Sequence, residues 1–518
     1  AVEINEENDS GAARDCALLM LLAFLVRAAF VMATPQVLDT ADAIHYLVSA
    51  QQLSIGHFFG IDPKIPVLYP ALTALAGLFI LNWEAAGLFV SFVAGICLVL
   101  PVYALSRDMH GRGPARISGL AVALWPWLAD YSNRVGPDML AATLWFTSVW
   151  LLARGLRRGG LYIAAAAFSF FLLHLARPEG TFLLAAAPIA GLLLLGRGER
   201  KKLWRLAPYA AVCAVLLGAY AAYMSQVAGH VAVNYRATRI ITDFEFVEMA
   251  KTAVKTVTEV LPIMLGPVLL LFIGVGFFYR PEEERKEGHP LRSARGSAAG
   301  GRPDGAGGRP DGAHTRDLRL EFFVLFYAFC QWFLSLFVLS PEPRYQMSVL
   351  VALSMWSALG IVVVARRARP LRFGRVLQLA PAGSLVALML FGVTLTLAAD
   401  HMHRQPTKPL EYKTAGLWMR DNLAPGLIFS RKPQIAYYAD MPSTGPDLND
   451  SLEGAVDRAK KAGARYVVVD ERYTAQMAPG MAPLLNPRLA PADLRLVKQF
   501  APYPRSRVVI YEMVQRSP

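Results

Sequence analysis

Hydrophobic residues in this chain come in long uninterrupted blocks, not in the threes and fours of a soluble amphipathic helix. Apolar runs of roughly 17–25 residues are long enough to cross a bilayer as helices. They fall at about 16–34, 84–106, 115–133, 138–154, 161–176, 180–196, 205–226, 261–279, 320–340, 346–365 and 376–399. The pattern predicts a polytopic α-helical membrane protein with about eleven transmembrane helices. The first run carries no clear cleavage site and reads as a span, not a signal peptide. A further apolar piece at 66–82 contains Pro66 and Pro70 and reads as a re-entrant or interfacial segment of a first outer loop covering 35–83. With 66–82 not crossing and the amino terminus cytoplasmic, the strongly basic loops near 107–116, 154–158, 197–205, 280–319 and 366–375 share the cytoplasmic side. Counting 66–82 as a crossing also keeps those loops together but moves the amino terminus outside, so the basic residues alone do not decide between the two.

Two stretches break the apolar pattern. Residues 280–319 open with Pro-Glu-Glu-Glu-Arg-Lys-Glu at 281–287 and continue as Gly/Ser/Ala-rich sequence in which Gly-Arg-Pro-Asp-Gly-Ala occurs twice, at 301–306 and 308–313. Such composition builds no core, and a disordered cytoplasmic linker is expected. From about residue 400 short apolar runs alternate with polar turns: Leu427-Ile428-Phe429, Tyr466-Val467-Val468-Val469 and Val508-Val509-Ile510-Tyr511 read as strands. Between the first two, Ser451 to Ala462 reads as an amphipathic helix capped by Ser451. The chain thus divides into a membrane domain, 1–399, and a small C-terminal α/β soluble domain, 400–518, on the side opposite the basic loops.

Composition agrees. Of 518 residues, 55% are hydrophobic and only 18% charged, against about a quarter charged in soluble domains. The net charge of +13 would suggest a nucleic-acid partner in a soluble protein; here it sits at alternate ends of apolar runs, and no nucleic acid is implied. Cys16, Cys97, Cys213 and Cys330 lie in or beside apolar runs without a CxxC pair, which argues against a disulfide framework or a zinc site.

In this topology four outer loops carry ionisable groups next to a span end, where a buried charge is costly unless used or paired. The first holds Asp39 and Asp42, with His45 and Tyr46 following. The second is Asn133-Arg134-Val135-Gly136-Pro137-Asp138, the third Arg177-Pro178-Glu179-Gly180, and the fourth Pro341-Glu342-Pro343-Arg344-Tyr345. Taken singly, each has a structural explanation. A lone loop carboxylate is usually solvated, Asp138 suits the first turn of a helix, Arg344 suits an interfacial anchor, and Arg27 within the first span suits a snorkelling cation. Their occurrence together on one face favours a site.

The Asp-x-x-x-Tyr arrangement from Asp42 to Tyr46 resembles the first outer loop of GT-C membrane glycosyltransferases. Pro66-Val67-Leu68-Tyr69-Pro70 resembles a further part of that loop, Pro137-Asp138 the family's PD turn, Arg177-Pro178-Glu179-Gly180 its R-x-E-G turn, and Arg344-Tyr345 its late RY motif. The likeness is to the protein O-mannosyltransferases and the aminoarabinose transferases of lipid A, and covers the membrane part in order. It implies a GT-C-like multi-pass protein of the inner or plasma membrane. Its donor would be a polyprenyl-phosphate sugar, used on the outer, periplasmic face, and its acceptor a lipid, glycan or protein.

Within that resemblance, transfer to a hydroxyl needs a base within reach of its proton. Asp42 holds the family position, with Asp39 as alternative or partner. The departing lipid phosphate calls for the planar fork of an arginine, with Arg344 first, then Arg177 and Arg27, and Tyr345 beside them. Asp138, Glu179, His45 and Tyr46 are expected to position substrate. No cofactor is implied; a divalent ion between Asp39 and Asp42 is left open, with no ligand cluster compelling it. A transporter or flippase would call for inverted repeats and ionisable groups deep within spans; the sequence shows no such repeat, and its charges collect at the outer ends. A non-catalytic membrane subunit would have no need of Asp42 and Arg344.

Overall fold

The computed structural model describes residues 6–228, 246–279, 316–337, 342–367 and 408–514. Among the described residues the regular elements of the membrane part are all helices, as expected where lipid offers the backbone no hydrogen-bond partner. In chain order its helices are α1 (Glu6–Ala33), α2 (Ala41–Ser54), α3 (Leu68–Gly77), α4 (Trp83–Cys97), α5 (Val99–His110), α6 (Arg112–Leu124), α7 (Pro126–Tyr131), α8 (Asp138–Arg158), α9 (Leu161–Ala176), α10 (Gly180–Ala185) and α11 (Ala187–Leu194). After them come α12 (Leu206–Ala228), α13 (Phe246–Lys255), α14 (Leu261–Phe278), α15 (Leu318–Leu336) and α16 (Pro343–Arg367).

Six helices among the described residues are long and apolar enough to cross a membrane: Gly11–Ala33, Trp83–His110, Asp138–Arg158, Arg197–Ala228, Leu318–Leu336 and Pro343–Ala365. The chain is a multi-pass membrane protein. Several of the remaining expected spans are shorter or broken. The run at 115–133 divides into α6 and α7, because Trp125 precedes Pro126 and is extended at ψ 124°; the proline ring excludes its neighbour from the helical region. The run at 180–196 divides into α10 and α11, the latter opening with Pro188 in its first turn. Within 66–82 the helix is the ten-residue α3, about 15 Å long and too short to span. The run at 376–399 and most of the expected linker lie outside the described residues. The linker's last four residues are structured: Arg316 donates to both Glu321 carboxylate oxygens at 2.6 and 2.7 Å, and the Asp317 side chain caps α15 by accepting from Leu320 N.

A buried core of apolar side chains runs through the bundle, with Trp145, Phe146, Phe170, Tyr327 and Trp356 among its largest members. Helices α14 and α16 approach closely at Gly276 and Gly360. A Cβ on either would strike a backbone carbonyl of the other helix, so small residues here let two backbones touch.

The C-terminal domain holds a five-stranded sheet. Its strands are β1 (Ile428–Phe429), β2 (Ser443–Thr444), β3 (Tyr466–Asp470), β4 (Leu494–Phe500) and β5 (Val508–Met513), in spatial order β2-β1-β3-β5-β4. β1 runs parallel to β2 and β3, and β5 antiparallel to β3 and β4. β3 is buried at all five positions, as expected of an unbroken apolar run covered on both faces. Phe429, Val467 and Val469 pack on Ala455, Val456 and Ala459 of the helix Leu452–Lys461. Ile428, Tyr466 and Val468 pack on Tyr412, Ala415 and Met419 of Leu410–Asn422. The Ser451 cap forms as expected, its Oγ accepting from Gly454 N at 3.1 Å.

Candidate active site

All four ionisable loops converge on one cavity of about 390 Å³, the fourth through Glu342 and the first turn of α16. Its near wall is the start of α2. Thr40 Oγ accepts from Ala43 N at 3.3 Å and caps that helix, which places Asp42 in the first turn. His45 and Tyr46, three and four residues on, share its face and line the same cavity. His45 Nδ1 lies 3.2 Å from Asp62 Oδ2. The Tyr46 ring meets Tyr69 edge-on at 5.4 Å between centroids, and the Tyr69 hydroxyl donates to Gly87 O at 2.7 Å.

The opposite wall is cationic. Arg344 stands at the start of α16, directly after Pro343, with Nη1 3.2 Å from Asp42 Oδ2 and Nε 2.7 Å from Glu342 Oε2. Arg177 ends α9 in an extended conformation and leads into a tight turn in which Gly180 N bonds Arg177 O at 3.0 Å. Glycine is needed there, since a Cβ at 180 would collide with the backbone of Leu173 and His174. Arg177 donates through Nη2 to Asp138 Oδ1. Burial works against its charge, but Asp138 and then Glu179 outweigh burial and the guanidinium is held more firmly charged than usual. The buried Tyr345 ring lies between the two arginines, 5.2 Å from Arg177 and 4.9 Å from Arg344, in cation–π geometry. Glu179 is buried beside a smaller cavity that adjoins Asp138, Arg177, Arg344 and Tyr345.

Asp39 also lines the cavity, and its partner is Arg134, at 3.0 Å. Arg134 also contacts Asp130 at 2.5 Å and lies 4.6 Å above the Tyr131 ring. Burial opposes its charge too, and Asp39 and Asp130 more than offset it. Neither Arg134 nor Asp130 was singled out from sequence, although Arg134 stands in one of the four loops; the available signal was a cation flanked by carboxylates at a span end. Asp62 and Glu342 were missed in the same way.

Arg27 is not brought to the cavity. It is 1% exposed within the bundle, and its guanidinium donates to Val122 O at 3.2 Å, Ala123 O at 3.1 Å, Ala23 O at 3.3 Å and Ser132 Oγ at 3.0 Å. Val122 and Ala123 carry two of the carbonyls orphaned where α6 stops before Pro126. A phosphate role expected for Arg27 gives way to repair of a helix break. No group of three His, Cys, Asp or Glu side chains poised to hold a metal occurs among the described residues. Asp39 faces Arg134 and Asp42 faces Arg344, so the two carboxylates are each paired with an arginine and do not converge on a shared cation position.

This arrangement sits in a fold seen elsewhere. ArnT from Cupriavidus metallidurans bound to undecaprenyl phosphate superposes with a TM-score of 0.59 at 13% identity, over 97% of this chain and 98% of that one. The chain has the GT-C fold of membrane glycosyltransferases. The Archaeoglobus fulgidus oligosaccharyltransferase shares it. Its complex with Zn and sulfate matches with a TM-score of 0.56 at 15% identity, over 88% of this chain and 68% of that one. The form tethered to an acceptor peptide containing the NVT sequon matches with 0.58 at 14%, over 96% and 74%. In sequence, residues 63–223 of the chain match the dolichyl-phosphate-mannose-protein mannosyltransferase family. That stretch contains the Pro137-Asp138 and Arg177–Gly180 turns but neither Asp42 nor Arg344. No curated protein matches the chain significantly in sequence. The matched family is a mannosyltransferase named for dolichyl-phosphate-mannose, and the neighbours are an oligosaccharyltransferase and an ArnT bound to undecaprenyl phosphate, in keeping with the glycosyltransferase class expected from the motifs.

Proposed function

We propose that the chain transfers a sugar from a polyprenyl-phosphate donor to a hydroxyl of a lipid, glycan or protein acceptor on the outer membrane face, with inversion at the anomeric carbon. The observation that carries this is the 3.2 Å contact between Arg344 and Asp42 at the wall of a cavity. A fixed cation suited to phosphate and a carboxylate suited to proton abstraction stand side by side. Dolichyl and undecaprenyl phosphates, named in the matched family and the ArnT complex, are both polyprenyl phosphates, which supports the donor class.

In this mechanism Arg344, backed by Arg177, receives the lipid phosphate, and the Tyr345 ring keeps the two guanidinium planes apart. Asp42 takes the proton from the acceptor hydroxyl as its oxygen attacks the anomeric carbon. The bond from that carbon to the phosphate oxygen breaks on the opposite face, and the electron pair leaves with the lipid phosphate. Its growing negative charge is what the arginines stabilise. Asp39, tied to Arg134, is the alternative base or a positioning partner. Asp138 and Glu179 orient Arg177, and His45 and Tyr46 face the sugar.

The test is a structure of the chain with undecaprenyl phosphate. The phosphate is expected within hydrogen-bond reach, about 3 Å, of Arg344. A headgroup bound at the opposite, basic end of the bundle would overturn the assignment.

A further inference from the structure

The backbone that carries Asp39 and Asp42 is held by a domain 400 residues further along the chain. Leu38 N donates to the Tyr438 hydroxyl at 2.8 Å. That hydroxyl donates in turn to Glu84 Oε1 at 3.1 Å, and Lys413 Nζ reaches Glu84 Oε2 at 2.8 Å and Gln36 O at 2.9 Å. Lys408 Nζ reaches Pro35 O at 3.4 Å. Tyr438 lies on the helix Gln434–Ala439 and Lys413 on Leu410–Asn422, both in the C-terminal domain. Leu38, Tyr438 and Glu84 are all buried, at 1%, 7% and 8% exposure.

Two features separate this contact from ordinary docking. Three of its bonds end on main-chain atoms within Pro35–Leu38, so they fix the path of the backbone. The Leu38 amide is also buried, so without the Tyr438 hydroxyl it has no water to turn to. The segment runs straight into Asp39, the Thr40 cap and Asp42. A base displaced by an ångström loses much of its effect.

We propose that the C-terminal domain is a working part of the site, in which Tyr438 and Lys413 are positioning residues that act through the Pro35–Asp42 backbone. This rests on the glycosyl-transfer reading above. Hydrogen exchange on the full chain tests it, together with undecaprenyl phosphate affinity as a separate readout. Tyr438→Phe and Lys413→Met should speed exchange across residues 36–43 about tenfold, the scale of one buried hydrogen bond lost. Strand β3 should stay protected, and lipid affinity should hold within about twofold, because Arg177 and Arg344 sit on other elements. Lys413→Arg keeps a donor toward Gln36 and Glu84 and should restore slow exchange. Unchanged exchange at 36–43, acceleration shared equally by β3, or no rescue by Lys413→Arg overturns the positioning role alone. A parent chain that fails to bind undecaprenyl phosphate overturns the functional reading, and the positioning role with it.

Discussion

The two ends of the helical bundle are built from the same residue types and use them differently. At the basic end, Asp15 accepts from Arg112 at 2.7 Å, Arg116 at 2.9 Å and the Tyr103 hydroxyl at 2.9 Å. Asp108 accepts from Arg154 and from Trp150 Nε1, and Glu321 accepts from Arg316 and from Trp356 Nε1 at 3.0 Å. Each carboxylate there is enclosed by donors from other parts of the bundle and works as a staple. About 30 Å away along α8, Asp42 keeps a half-exposed side chain (48%) with Arg344 across from it, and the ions surround a cavity. A charge pair becomes a candidate site when space is left beside it for a third group. Counting ion pairs does not distinguish the two ends; the space does.

The sharpest way to break this contrast is Asp42→Asn, which keeps size and removes basicity. Transfer is expected to fall by about 10²–10⁴, with folding and undecaprenyl phosphate binding retained. Activity within about tenfold of the parent would hand the base role to Asp39. At the other end, Glu321→Ala removes one partner of a buried pair and leaves Arg316 uncompensated. Thermal unfolding should show a loss of about 3 kcal/mol, with lipid affinity unchanged; a loss of lipid binding would mean the two ends are not separable. Arg344→Lys comes next in size. An anchor needs only charge, whereas a phosphate ligand needs the fork, so lipid affinity should drop about tenfold at unchanged expression. Equal affinities for parent and variant would pass the phosphate to Arg177. The smallest effect belongs to the linker: deleting residues 287–315 should leave transfer and melting alike, since loop length changes cost little, and lost activity in well-inserted protein would reveal a docking role.

Much of this was legible in the sequence because the physics involved is local. Apolar run length marks the bilayer, the Ser451 cap marks its helix, and unbroken Val runs mark a strand covered on both faces. Ionisable groups at the ends of apolar runs pointed to the loops that meet at the cavity. What was illegible depended on partners distant in sequence. Arg27 read as a phosphate ligand or snorkelling cation because the carbonyls it satisfies, at 122 and 123, become available only through the break at Pro126. Arg134 was passed over because its value depends on Asp39 folding back to meet it. Strand β4 hid behind exposed Arg495, Lys498 and Gln499, charged and polar residues of the kind an edge strand carries. The division of 115–133 was, by contrast, foreseeable from Pro126 alone.

The Arg27 contact also bears on how the protein is made. A cation placed well inside the first apolar helix costs about 2.5–3.5 kcal/mol when that helix lies alone in lipid. The carbonyls that accept it belong to a segment synthesised some ninety-five residues later. During translation, therefore, the first helix enters the bilayer with its charge unanswered and stays a marginal insert until the broken α6–α7 segment arrives. Replacing Pro126 with a helix-forming residue would restore the carbonyls to α6, take them from Arg27 and leave it only Ala23 O and Ser132 Oγ as acceptors. A single proline thus ties the order of synthesis to the order of assembly.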